Sequence, residues 1–155
     1  MFEGMSGCPG LVNADGSQSS SISKWEHVGT AAVQVIDAVT KLDDAGFPGP
    51  YCMALTPSLY NLLLRKYPQG ESTELGHIKE IATAGIVKAP AIKHGGILIA
   101  AGRQYASLVL GQDMCIGYTG PSRDRLDFYI TESLALLIRE PGSIVALKQT
   151  VTERG

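Results

Sequence analysis

The chain has 155 residues, 45% of them hydrophobic and 18% charged, which fits one folded domain with a real core and a somewhat apolar surface. Its formal net charge is −2, and Lys and Arg are scattered apart from the Arg65-Lys66 pair, so a basic footprint for nucleic acid is absent. No basic-then-apolar leader opens the sequence, and no apolar run approaches the roughly 20 residues of a membrane helix, so the expected location is the cytoplasm.

Residues 1–23 are dense in Gly, Ser, Asn and Pro, a composition that predicts loop. Ser23-Lys24-Trp25-Glu26 has the spacing of a capping box. Behind it Val28, Ala31, Ala32, Val35, Ile36, Val39 and Leu42 recur at three- and four-residue intervals, which predicts an amphipathic helix stopped by Gly46. After the Phe47-Pro48-Gly49-Pro50 break, Tyr51–Leu55 reads as a short buried strand. Thr56-Pro57 opens a second helix carrying Leu59, Leu62 and Leu63. A loop from Tyr67 to Ser72 leads into a third helix over Thr73–Ala84, and Gly85 stops it. Ile86–Ala89, Gly96–Ala101 and Ser143–Thr150 read as strands.

The stretch from Leu108 to Ile138 contains two apolar, β-prone runs, Leu108–Tyr118 and Leu126–Ile138, around Thr119-Gly120-Pro121-Ser122-Arg123-Asp124. Two such runs flanking a turn predict an antiparallel pair. Leu126, Phe128 and Ile130 alternate with Asp127, Tyr129 and Thr131, giving one apolar and one mostly polar face. Beyond Leu134 the residues are continuously apolar, which predicts burial on both faces. The element order is α+β, without internal repeat or linker.

Chemistry-bearing clusters are scarce. The cysteines, Cys8, Cys52 and Cys115, are odd in number and lack CxxC spacing, which argues against a disulfide framework or a zinc knuckle; Cys52 and Cys115, inside apolar runs, are expected to be buried structural thiols. Glu74, His77 and Glu80 share a helical face with metal-ligand spacing, yet no second motif completes a shell, and a solvated face is the favoured reading. His27 is expected at the surface and Trp25 in packing. Asp113 is expected to bond backbone rather than act as an acid. Glu132, among apolar neighbours, either pairs with Arg125, Arg139 or a neighbouring subunit, or faces solvent. Neither a hydrolase nor a nucleotide-binding motif is present, no cofactor is implied, and no catalytic residue is assigned.

LGQDMCIGY followed by LDFYITESLALL resembles the C-terminal signature of encapsulin shell proteins. Leu110, Gly111, Asp113, Ile116, Gly117, Tyr118, Leu126, Ile130 and Glu132 stand in the family's L-G-x-D-x-x-I-G-Y and R-L-[YF]-[IL]-x-E pattern. Phe2, Gly4, Gly7, Gly10 and Leu11, then Gly49–Tyr51, Ala89–Ile92 and Ala146-Leu147, extend the likeness along the chain. The resemblance implies the fold of tailed-phage major capsid proteins, with residues 24–100 mainly in the axial domain and 101–150 mainly in peripheral-domain strands of a single unit, 1–155. It implies a homo-oligomer, icosahedral or a small ring, enclosing ferritin-like or peroxidase cargo that docks by a C-terminal peptide; iron storage is one such role. By the same resemblance Tyr67, Pro68, Gln69, Gly70, Glu71, Ser72 and Thr73 line a pore near His77, and Met114, Ile116 and Phe128 line the cargo pocket.

Against that family the N-terminal arm, most of the spine helix and the extended loop have no counterpart here. The acidic residue before the L-G-x-D strand is lost at Gly102-Arg103-Gln104-Tyr105, and the aromatic end of the long strand has become Ser133, Leu134, Ala135 and Leu136. Two rival readings stand beside the shell subunit: a virus or prophage capsid protein, which shares the fold, and a small hydrolase using Cys8 or Ser6 with a His, for which no spacing speaks.

Overall fold

The computed structural model describes residues 2–5, 8–122 and 125–150. A minimal ladder of β1 (Gly4–Met5) with β2 (Cys8–Pro9) precedes a five-stranded mixed sheet. That sheet holds β3 (Gln18–Ile22), β4 (Tyr51–Leu55), β5 (Gly85–Lys88), β6 (Gly96–Ala100) and β9 (Ile144–Gln149), in the order β3-β9-β6-β4-β5. Strand side chains alternate between faces, and both faces here are covered. Tyr51, Met53, Leu55, Leu98, Ala100, Val145 and Leu147 point into the larger core. Ala54, Ile97 and Ile144 point into a second one, closed by Leu11, Ala89 and Ile92.

β3 overturns the expectation of loop through residue 23. Gln-Ser-Ser-Ser-Ile carries no strand pattern of its own; the strand exists because its backbone pairs in parallel with β9, from Gln18 opposite Val145 to Ile22 opposite Gln149. Ile22 is fully buried against the larger core, so a single apolar side chain anchors an otherwise polar edge.

Three helices cover the larger core: α1 (Thr30–Asp44), α2 (Pro57–Leu62) and α3 (Glu74–Ile81). α1 buries Ala31, Ala32, Val35, Ala38 and Leu42, while Ile36, read as part of the stripe, is exposed. Its C-terminus closes as expected at Gly46, with Gly46 N–H donating to Asp43 O and Phe47 N–H to Leu42 O, the paired bonds of a Schellman motif. Its N-terminus corrects the sequence reading. Ser23 does not cap the helix; its backbone N–H donates to Gln34 Oε1 and its hydroxyl accepts from Gln34 Nε2. Gly29 is the N-cap residue, without any side-chain capping bond of its own. The first-turn donors are met instead by Glu74 Oε1 of α3, which accepts from Gly29 N–H at 2.9 Å and Ala32 N–H at 3.2 Å. Trp25, completely buried, packs as expected and donates its indole N–H to Gln34 Oε1.

Tyr51, at the start of β4, donates its hydroxyl to Asp43 on α1. Burial, reinforced by the Asp43 carboxylate, pushes the phenol up to about 12 from 10.0. The folded state therefore holds this proton more tightly than the unfolded chain does. Its contribution to stability is complete below pH 10.0 and is lost as pH rises through about 12. Thermal unfolding across that window should show the decline, and Tyr51→Phe should flatten it.

Candidate functional site

β7 (Ala106–Ser122) and β8 (Arg125–Ile138) form a separate two-stranded antiparallel ribbon. The expected hairpin is present, with strands longer than the sequence reading gave and a connection at residues 123–124 outside the described residues. β8 is regular, whereas β7 shows register irregularities at Leu110/Gln112, Gln112/Cys115 and Tyr118/Gly120. Its 17 residues accordingly span the 14 of β8.

The cross-strand pairs fix the faces. Leu108 opposite Leu136, Leu110 opposite Leu134, Ile116 opposite Ile130 and Tyr118 opposite Phe128 lie on one side. Tyr118 and Phe128 touch, with ring centroids 5.4 Å apart. The other side carries Ser107, Gln112, Cys115, Ser133, Thr131 and Tyr129. There the Tyr129 ring lies across Gly117, so close that a Cβ at Gly117 would sit 2.1 Å from it. At the base of the ribbon Leu136 and Ile138 pack against the second core. Leu11, Ile99, Ala106, Leu108 and Leu136 line a shallow apolar cavity of about 200 Å³ there.

Most of the apolar side is open to solvent. Of the three expected pocket residues, Ile116 and Phe128 share this side, at 70% and 61% exposed. Met114, also exposed, sits in the irregular stretch of β7, its N–H donating to Asp113 Oδ1 at 2.7 Å. That bond is the backbone contact expected of Asp113. Two expectations fail here. Leu134 and Leu137 are exposed rather than buried on both faces, and Cys115 is exposed rather than a buried thiol. Within the described residues nothing packs on the ribbon beyond its base. Cys52 is half-buried, and burial raises its thiol above the usual range. Glu132 faces solvent, with no ion pair among the described residues; Arg139 instead donates to Arg103 O and Ser107 Oγ.

The loop from Tyr67 to Thr73 is closed by local bonds. Lys66 bridges to Thr73, Tyr67 N–H donates to Ser72 O, and Lys66 Nζ meets Glu71 Oε2 at 2.6 Å. Thr73 caps α3, its hydroxyl accepting from Gly76 N–H. Tyr67 Oη lies 3.2 Å from His77 Nδ1, so His77 does stand beside the loop. Burial and then the Glu74 charge raise the Tyr67 phenol. Pro68, Gln69, Gly70, Glu71 and Ser72 are all exposed.

Behind the loop, sequence reasoning missed the pair that holds it. Arg65, read as an ordinary surface charge, donates to Leu62 O, Glu26 O and Trp25 O. Its guanidinium stands 3.9 Å from Glu74 Oε2, a completely buried oxygen with no hydrogen-bond partner among the described residues. The signal available in the sequence was Glu74 at the first turn of a helix, where an acid is ordinarily solvated. Because Glu74 turns inward, the Glu74–His77–Glu80 face does not converge, and among the described residues no group of three His, Cys, Asp or Glu could hold a metal. Ser6 and the Cys8 side chain lie outside the described residues. No helix there is long and apolar enough to cross a membrane.

The fold defines a class: a capsid-like α+β fold. The chain superposes on the virus-like particle of Pyrococcus furiosus with a TM-score of 0.82 at 24% identity, covering 89% of this chain and 58% of that one. It belongs to the family described as Linocin_M18, encapsulating protein for peroxidase, matched over residues 1–135. It is 31% identical over 150 residues to the type 1 encapsulin shell protein EncA of Myxococcus xanthus, covering 96% of this chain and 52% of that protein. It is 31% identical over 151 residues to a diheme-cytochrome–encapsulin shell fusion protein of Kuenenia stuttgartiensis, covering 96% and 42%. The chain thus spans about half the length of the curated relatives it matches. The family is one of structural shell proteins rather than enzymes.

Proposed function

We propose that this chain acts as a self-associating subunit of an encapsulin-type shell in the cytoplasm, enclosing a cargo protein. The observation that carries this reading is the family match over residues 1–135, joined to a fold shared with a virus-like-particle subunit. In this reading the loop of Tyr67, Pro68, Gln69, Gly70, Glu71, Ser72 and Thr73 borders a pore. Its exposed tip and its anchorage through Tyr67 to His77 support that role. The ribbon's apolar side at Ile116 and Phe128, with Met114 beside it, takes the cargo's C-terminal peptide. Exposure of these side chains supports it, because apolar patches beyond a few hundred Å² mark interaction sites. Ferritin-like or peroxidase cargo fits the relatives' names.

Light scattering on a sizing column with negative-stain microscopy of the main peak tests assembly. Closed particles tens of nanometres across are the expected result at this order of magnitude for a symmetric shell. A monomer at all concentrations would end the shell reading.

A further inference from the structure

The edges of the ribbon differ in kind. A free strand edge is a template for another strand unless bulges, Pro or Lys blunt it. β7 is blunted by its three register irregularities and by Gly111, Gly117, Gly120 and Pro121. β8 contains no Gly, Pro or Lys, is bulge-free over 14 residues, and pairs only with β7. Its outward backbone groups have no strand partner among the described residues. Its β-formers gather at the centre, with Phe128, Tyr129, Ile130 and Thr131 in one run.

We propose that β8 pairs antiparallel with β8 of a second copy of this chain, centred on Thr131, joining two ribbons into one four-stranded sheet. This deepens the shell reading by naming one contact between its subunits. Directly opposed residues share a face, and centring on a residue keeps the apolar sides of both copies together. Two centres pair all but one of the strand's 14 residues, Thr131 and Glu132. Centring on Glu132 would set that carboxylate against its own copy and Arg125 against Arg139, both repulsive. Centring on Thr131 sets Glu132 opposite Ile130, sets the two Thr131 hydroxyls within bonding reach, and pairs residues 125–137 along roughly 40 Å of strand. The apolar side carrying Ile116 and Phe128 stays open, doubled in width about the two-fold axis.

Cysteine cross-linking reads this register. In a background of Cys8→Ser, Cys52→Ala and Cys115→Ser, checked for fold by circular dichroism, Thr131→Cys places two thiols about 4.5–5.5 Å apart at Cα, within disulfide range. Mild oxidation should give a linked species at twice the 16.4-kDa subunit mass. Leu137→Cys, also exposed but opposite Arg125, should link at least about tenfold less, since its own copy lies about 40 Å away. Equal linking by both variants, or no linking by Thr131→Cys, overturns the contact. Particles in the microscope without a Thr131→Cys link would overturn this contact and leave the shell standing. A specific link without particles would uphold the contact and remove the shell.

Discussion

Glu74→Ala is expected to lower stability by about 3 kcal/mol, since it strips the acceptor from two helix-terminal N–H groups and leaves Arg65 without its carboxylate. For a chain of this size that is a fall in Tm of about 10 °C. Glu74 lies at the junction of three things: the N-terminus of α1, the start of α3, and the Arg65 side chain that ties Trp25 and Glu26 to the loop. Hydrogen exchange should quicken at Ala32 and Val33 and at Tyr67, whose N–H closes the loop on Ser72. Glu74→Gln retains one carbonyl acceptor and should recover most of the loss. If Glu74→Ala melts with the parent, the buried carboxylate is not the cap the geometry describes.

Gly95→Ala is the second large effect. Gly95 has φ +73, and a Cβ there would sit 1.9 Å from Leu147 O, a backbone atom on β9 that cannot swing aside. Gly95 O also accepts from Thr56 N–H, fixing the residue between β4 and β6. Left-handed strain and overpacking together should cost about 3 kcal/mol or more. Gly46 supplies the control. It has a similar φ, +83, with nothing within 4 Å of a Cβ, so Gly46→Ala should cost only the left-handed part, about 1 kcal/mol. Chemical denaturation of the two variants separates the contributions, and equal midpoints would contradict the crowding at Gly95.

The legible parts of this fold were those whose cause is local. The α1 stripe, its stop at Gly46, and the alternation that sets Leu126, Phe128 and Ile130 on one side of β8 all follow from residues within a few positions of each other. What failed was decided at a distance. Ser23 matched a capping pattern, yet the helix starts at Thr30 because the cap comes from Glu74, 45 residues beyond Gly29. The polar Gln18–Ile22 segment became a strand only because β9 lies beside it. The ribbon misled in the opposite sense. The continuous apolar run beyond Leu134 predicts burial on both faces, yet within the described residues only Leu136 and Ile138 meet a core, and Leu137 on the other face is exposed. Apolarity records that a surface wants a partner; it does not say that the partner lies in the same stretch of chain.

The unequal strands of the ribbon bear on valence. A subunit with two regular edges can add neighbours at both and grow without limit, the geometry of a fibre. Three irregularities along β7 spoil the spacing of its outward donors and acceptors, leaving β8 as the ribbon's single regular edge. One regular edge per ribbon is a terminating bond: once two ribbons meet through it, no regular edge is left to extend that ladder. The inserted residues of β7 thereby act as a stop, confining strand pairing to a finite object.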